Sequence, residues 1–265
     1  MSLVGQKALI TGGSQGVGRA LAIGLSRLGC STTVIGRSEA GLRETVNQLS
    51  LTDKTQYHNY VKFDLTLLYS GTDALKQGSS ITNLTSVTSS TSSLLEVAET
   101  DQSVDLTTGI QNTSILINCA GITNHKLLPR LSDKDIITTL NLNLTAPILL
   151  SKMCFKPLLY SNKGSSFTPT IINISSILAT SSTVPGTSVY AASKAGLLGF
   201  TSSLAAELKG KVRVNAILPG LIQETNMGAN ANIDTIQIVS LEKVVKVTID
   251  TILDQSANGK HVVVE

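Results

Sequence analysis

"TGGSQGVG", Thr11 to Gly18, stands between a short apolar run, Lys7 to Thr11, and a segment from Val17 to Leu28 whose apolar residues recur at helical spacing until Gly29 stops it. Strand, glycine turn and helix in that order are how a dinucleotide-binding unit opens. Gly12, Gly16 and Gly18 allow a tight turn and close backbone approach, and the helix start offers unpaired N–H groups and a positive dipole end to a pyrophosphate. Glycines are also common in ordinary turns, so the stretch gains force only from its neighbours along the chain. A dinucleotide fold carries, about 20 residues on, an acid for a ribose hydroxyl or an Arg for a 2′-phosphate. Here the second strand, "TTVIG", ends in Gly36 and Arg37 with no carboxylate. A guanidinium fork matches phosphate, so Arg37 favours NADP(H) over NAD(H), the alternative being an ordinary exposed arginine.

The alternation continues along the chain. Ser38 to Gln48 reads as a helix, "YVKFD" as a third strand ending at Asp64, and "SILINCAG" as a fourth strand running into a turn. Asp64 either accepts from the adenine amino group or simply ends its strand. Ser132 with Asp135 resembles a helix start, and apolar spacing runs on through Leu159 with Asn141 and Asn143 embedded. "TIINISS" is a fifth strand, Thr187 to Leu208 an Ala-rich helix and "KVRVNAILPG" a sixth strand. Leu241 to Leu253 is another helix, and "KHVVVE" a last strand. Strands alternating with helices imply a parallel sheet covered on both faces. Between Asp64 and Ser114 the pattern breaks: residues 79–93 hold eleven Ser or Thr in fifteen positions, too little apolar surface to offset ordering. Residues 70–112 read as a short helix interrupted by a flexible surface insertion. Within it, Asn83 heads a tripeptide of glycosylation type that an intracellular setting would leave unused. A smaller Ser-rich insertion, "YSNKGSSFTPT", precedes the fifth strand.

Composition excludes several classes. The 265 residues, 42% hydrophobic, suit one large α/β domain. The net charge of +3 comes from scattered cations, and 3% aromatics with no Trp provide no stacking platform, so nucleic acid is not an expected partner. Cys30, Cys119 and Cys154 are far apart and read as small buried hydrophobes, and neither they nor the three dispersed His suggest a metal site. No apolar stretch reaches the ~20 residues of a membrane span, and the chain opens directly on a strand pattern with no visible leader.

One further pair asks for a use. "SVYAASK" sets Tyr190 and Lys194 four positions apart, hence on one helix face. Either both sit at an exposed edge or something employs them, since each is expensive to bury idle. Taken with the glycine turn, "NCAG" at Asn118 to Gly121, Asn143 and Ser176, the chain resembles the short-chain dehydrogenase/reductase family over nearly its whole length, with the motifs in the family's order. The resemblance implies a single domain, residues 1–265, with a doubly wound parallel sheet (Rossmann fold) of about seven strands and helices on both faces. It also implies a catalytic tetrad. Tyr190 would be the acid, Ser176 would hold the substrate oxygen, Lys194 would bind the nicotinamide ribose and Asn143 would anchor a proton-relay water. NADP(H) would then lie against Gly12, Ser14, Gln15, Gly16, Val17, Gly18, Arg37, Asp64, Asn118, Ala120, Gly121, Tyr190, Lys194, Pro219, Gly220, Ile222 and Thr225. A free phenol, at a pKa of about 10, exchanges poorly at neutral pH, so Lys194 and the positive nicotinamide together are expected to lower the proton affinity of Tyr190. Ser175 and Ser176 face opposite ways in a strand, and the family pattern favours Ser176.

"INCAGIT", "PTIINISSILA" and "VPGTSVYAASKAGLLGFT" are, in addition, similar to the fungal 3-oxoacyl-[acyl-carrier-protein] reductases of mitochondrial fatty acid synthesis, which also carry a long insertion before the fourth strand. This implies NADPH-dependent reduction of a carrier-bound 3-oxoacyl thioester in the mitochondrial matrix, with the cytoplasm as the alternative because no transit leader is visible. An acidic carrier would suit the positive charge at Lys163, Lys209 and Lys211, which otherwise form a solvated face. Departures are Gln15 where many relatives place a basic residue, one extra residue between Ser176 and Tyr190, a short lid after "LPGLIQETNM", and an end at Glu265 without a tail for tetramer contacts. A homodimer or homotetramer through the long helices remains the expectation. The rival readings are a reductase for another alcohol or ketone, such as a steroid, sugar or quinone, and an inactive cofactor-binding subunit of a hetero-oligomer.

Overall fold

The computed structural model describes residues 2–70, 102–161, 166–229 and 237–265. Seven parallel strands form one sheet in the order β3-β2-β1-β4-β5-β6-β7: β1 Lys7–Thr11, β2 Ser31–Gly36, β3 His58–Lys62, β4 Ile115–Asn118, β5 Thr170–Ile174, β6 Arg213–Pro219 and β7 His261–Val264. The chain moves outward from β1 to β3, then returns to pair β4 on the other side of β1. At that reversal, connections leave the carboxyl ends of neighbouring strands in opposite directions and a crevice opens between them.

Alternation along each strand splits the core into two layers. Ala8 and Ile10 of β1, with Ile117, Ile172 and Ile217, pack against Leu21, Ala22 and Leu25 of α1 (Gly16–Ser26) and Val244 and Ile252 of α8 (Leu241–Leu253). Leu9, Leu116, Ile171 and Val214 face the opposite layer, where they meet Leu150, Cys154 and Leu158 of α5 (Ala146–Ser161) and Ala205 of α6 (Ser188–Glu207). Helix starts follow side-chain chemistry. Ser38 accepts from the Gly41 N–H to begin α2 (Glu39–Asn47), Ser132 from Asp135 to begin α4 (Asp133–Leu140), and Ser240 from Lys243 to begin α8.

Three expectations are corrected here. The third strand begins at His58 and ends at Lys62, because Asp64 turns back to accept from the Thr66 N–H and hydroxyl and opens a 3₁₀ turn, Leu65–Ser70. The expected insertion over 70–112 is shorter at its far end. Gln102 to Val104 pair along Tyr60 on the outer edge of β3, and Asp105 caps α3 (Leu106–Ile110). Most of the expected insertion, Asn83 included, and part of the second Ser-rich segment lie outside the described residues. Finally, the expected continuous helix from Ser132 to Leu159 is broken by a π-helical turn, Asn141–Thr145, which widens the helix by one residue at Asn143.

Two buried cations close the amino edge of the sheet. Lys7 donates to the carbonyls of Gly109 (2.9 Å) and Gln111 (2.7 Å), which ties the end of α3 to β1. Arg213 donates to the carbonyls of Thr251, Ile252 and Asp254 at the end of α8. Among the described residues no helix is long and apolar enough to cross a membrane, and no three His, Cys, Asp or Glu gather as a metal would require. Cys30 and Cys154 are buried as expected, whereas Cys119 is partly exposed.

Candidate active site

A cleft of about 290 Å³ opens at the carboxyl ends of the strands, where the order reverses. Its floor is the glycine turn. Gly12 has φ +71° and sits where a Cβ would lie 3.0 Å from the Ala120 Cα, so the turn packs directly on the loop after β4. Gly18 faces the Gly12 carbonyl, and a Cβ there would lie 2.4 Å from that oxygen. The N–H groups of Gln15, Gly16, Val17 and Gly18 begin α1 and make no hydrogen bond among the described residues. Thr11 shapes the opposite wall, its hydroxyl accepting from the N–H groups of Cys119 (2.9 Å) and Ala120 (3.0 Å).

Toward one end of the cleft, Gly36, Arg37 and Asp64 join the glycine turn. Arg37 is exposed, lines the cleft and makes no hydrogen bond or ion pair among the described residues. A row of free N–H donors at a helix start with an uncommitted guanidinium beyond it fits a dinucleotide carrying a 2′-phosphate, so these residues can hold NADP(H). Gln15 accepts from Asn226 at 2.9 Å and so bridges the turn to α7 (Asn226–Ala229), and Thr225 packs near Gly16. Ser14, Gly121, Pro219, Gly220 and Ile222 also line the cleft.

At the other end stand Ser176, Tyr190 and Lys194. Ser175 donates to the Lys194 carbonyl at 2.9 Å and is thereby consumed in packing, whereas the Ser176 oxygen accepts from the Leu178 N–H at 3.2 Å and its hydroxyl is within hydrogen-bonding reach of Tyr190. Lys194 is buried and donates to the Ile174 carbonyl at 2.8 Å, with its Nζ 5.8 Å from the centre of the Tyr190 ring. Gly121 makes room for it, since a Cβ there would come within 3.4 Å of the Lys194 Nζ and 3.3 Å of the Asn143 Oδ1.

Burial sets the electrostatics of the pair. Tyr190 is partly exposed through the cleft, yet burial of its hydroxyl pushes its pKa up to about 12, against a hydrogen bond from Ser176 that pulls it down. Burial likewise lowers Lys194 from 10.5 to about 8. Burial thus dominates in the chain itself, where both groups have lost water and both lean toward their neutral forms, whereas the expected lowering of the phenol rests on the nicotinamide charge as well as on Lys194. At neutral pH Tyr190 holds its proton. The phenol is the form an acid catalyst needs.

Two other residues stand elsewhere than expected. Asn143 is fully buried and does not line the cleft. Its amide donates to the Ile122 carbonyl (2.9 Å) and to Ser193 (3.1 Å) and accepts from the Ile122 N–H (2.9 Å), so the side chain clamps the cleft wall. Asn118 is also beneath the cleft, where it donates to Asn173 at 2.8 Å across β4 and β5. Two of the lysines expected to meet a carrier stand away from the cleft. Lys209 and Lys211 lie on the turn between α6 and β6, at the amino end of a seven-residue strand whose far end borders the cleft. At about 3.3 Å per residue, roughly 23 Å separates them from the cleft of the same chain, and Lys163 is outside the described residues. Residues that the sequence did not single out include His125, Leu178 and Met227, which line the cleft. Position after a strand end was the only available signal for them.

Comparison with known proteins bears on this geometry. Residues 6–80 and 95–235 match the model of the short chain dehydrogenase family. A 3-oxoacyl-[acyl-carrier-protein] reductase of Rickettsia bellii is 32% identical over 224 residues, 84% of this chain and 75% of that protein. A 3-oxoacyl-[acyl-carrier-protein] reductase of Synechocystis is 30% identical over 238 residues, 89% of this chain and 81% of that protein. Among solved structures, a short chain dehydrogenase from Burkholderia cenocepacia in complex with NADP superposes with a TM-score of 0.76 at 24% identity, covering 100% of this chain and 98% of that one. The sheet order, the glycine turn beneath the cleft, the serine, tyrosine and lysine gathered at its end, and these matches agree: the chain belongs to the short chain dehydrogenase family.

Proposed function

We propose that the protein reduces a 3-oxoacyl thioester borne on acyl carrier protein to the 3-hydroxyacyl form, with NADPH as the reductant. One observation carries the reading: Ser176, Tyr190 and Lys194 share a cleft with Arg37, in a chain about 30% identical to reductases named for that reaction. Bound NADPH supplies the hydride that the substrate carbonyl carbon receives. Tyr190 then gives its phenolic proton to the carbonyl oxygen, and the Ser176 hydroxyl, turning its proton from the Tyr190 oxygen to the incoming carbonyl, holds and polarises that oxygen. The Lys194 ammonium lies close enough to favour the phenolate left behind. Apolar Leu178, Leu221 and Met227 give an acyl chain a surface to lie on.

The experiment tracks loss of NADPH and of NADH separately with acetoacetyl carrier protein and with a panel of free ketones. Faster turnover of the thioester with NADPH is expected. Turnover of ketones alone would move the substrate elsewhere in the family, and no turnover at all would leave only nucleotide binding. We further infer a homodimer or homotetramer through the long helices α5 and α6, the first of which exposes Ile148 and Phe155, to be checked by light scattering. A mitochondrial setting is proposed from the fungal resemblance, and organelle fractionation tests it.

A further inference from the structure

The free N–H edge of the glycine turn has a reverse side, and that side is fully engaged. A peptide that offers its N–H to a pyrophosphate must send its carbonyl elsewhere, because a carbonyl oxygen facing the same anion would repel it. The carbonyls of Gly13, Ser14 and Gln15 all have partners. Gly13 O accepts from the Thr45 hydroxyl at 2.8 Å, Ser14 O from the Arg19 guanidinium at 2.5 Å, and Gln15 O from the Arg19 backbone N–H at 3.3 Å. Arg19 is itself held on three sides. Its Nε donates to the Thr45 hydroxyl at 3.0 Å, Nη1 and Nη2 grip Glu44 at 2.7 and 2.9 Å, and Nη2 also reaches the Gly41 carbonyl at 3.3 Å. Thr45 is fully buried and Arg19 partly so. A planar fork with five donors can serve a carboxylate, a hydroxyl and two carbonyls at once, and a lysine ammonium cannot.

The same lock joins the turn to α2. A Cβ on Gly41 would lie 2.9 Å from the Ser14 carbonyl, so helix and turn touch at backbone level. The link between Arg37 and the turn is therefore rigid, since Arg37 leads directly into α2.

We infer that Arg19, with Thr45 behind it, is a positioning residue for the dinucleotide: it draws the carbonyls of Gly13 and Ser14 back onto α2 and so fixes the N–H edge toward the cleft. Arg19 does not touch the nucleotide. Its contribution is to the pyrophosphate cradle, which NADPH and NADH share, whereas Arg37 addresses the 2′-phosphate that only NADPH carries.

That division is what the experiment reads. Arg19→Met and Arg19→Lys are titrated with NADPH and with NADH by quenching of nucleotide fluorescence, and amide hydrogen exchange of residues 13–18 is measured in the protein without nucleotide. Both nucleotides should bind about tenfold more weakly by the same factor. Lys should fail to rescue, exchange of the Gly13 N–H, which is hydrogen-bonded to the Ile35 carbonyl, should quicken, and kcat at saturating nucleotide should stay near wild type. Thr45→Val, nearly the same shape and without the hydroxyl, should repeat the effect in smaller measure and decides the matter if Arg19 variants do not fold. Unchanged affinities in a folded variant, full rescue by Lys, or a loss confined to NADPH would each overturn the inference, the last by showing that Arg19 acts as a charge on the phosphate.

Discussion

Replacing Lys194 by Met should stabilise the protein while abolishing its turnover. Lys194 is 4% exposed and has its pKa lowered from 10.5 to about 8, chiefly by burial. The folded chain thus carries the ammonium at a cost, and at 1.36 kcal/mol per pH unit the lowering corresponds to about 3 kcal/mol of stability forfeited at pH 7. Met fills a similar length without charge, and it deprives the Ile174 carbonyl of a donor, a loss of about 1 kcal/mol. The variant should therefore gain about 2 kcal/mol. Proton counting gives the sign of the pH dependence. Between pH 8 and 10.5 the unfolded lysine binds the proton more tightly than the folded one, so wild-type stability rises through that window. The advantage of Met is full below pH 8 and is gone by about pH 10.5. Urea unfolding of both proteins at pH 7 and pH 10 measures it. A Met variant less stable than wild type at pH 7, or an advantage of equal size at both pH values, would refute the reasoning.

Tyr190→Phe should lower kcat by about 10²- to 10⁴-fold, the usual worth of a placed general acid, and leave the NADPH dissociation constant within about twofold. Arg37→Ala should weaken NADPH by about 10- to 100-fold through loss of a charge-assisted contact and leave NADH unchanged, as fluorescence titration would register. Gly18→Ala forces a Cβ to within 2.4 Å of the Gly12 carbonyl oxygen, a backbone atom with little room to yield. Binding of both nucleotides should fall below detection while far-ultraviolet circular dichroism stays close to wild type.

Much of the fold was legible because its signals are local. The run into Gly12, the Ser caps at 38 and 132 and the span Leu241 to Leu253 each carry their own periodicity or capping chemistry, and the structure places these elements within a residue or two. The candidate site was legible where a strand end and a motif coincide, as at Ser176 and the glycine turn. What escaped depends on contacts between distant segments. A sequence does not announce that the Asn143 amide will be spent on Ile122, that Thr45 will meet Gly13 across 32 positions, or that Lys209 will fall at the far end of the strand from the cleft. Proton affinity escaped for a related reason. Spacing identified Tyr190 and Lys194 as neighbours, but the balance between desolvation and attraction depends on how much protein surrounds them.

The two lateral margins of the sheet are unlike. Beyond β3, the stretch from Gln102 to Val104 occupies the backbone of Tyr60 and so blocks further strand addition there. On the side of β7 away from β6, no strand pairs with His261–Val264 among the described residues, and Val263 is 45% exposed. Growth of the sheet by recruitment of another strand, whether in ordered assembly or in aggregation under stress, is thereby given a direction: it must start from the last strand.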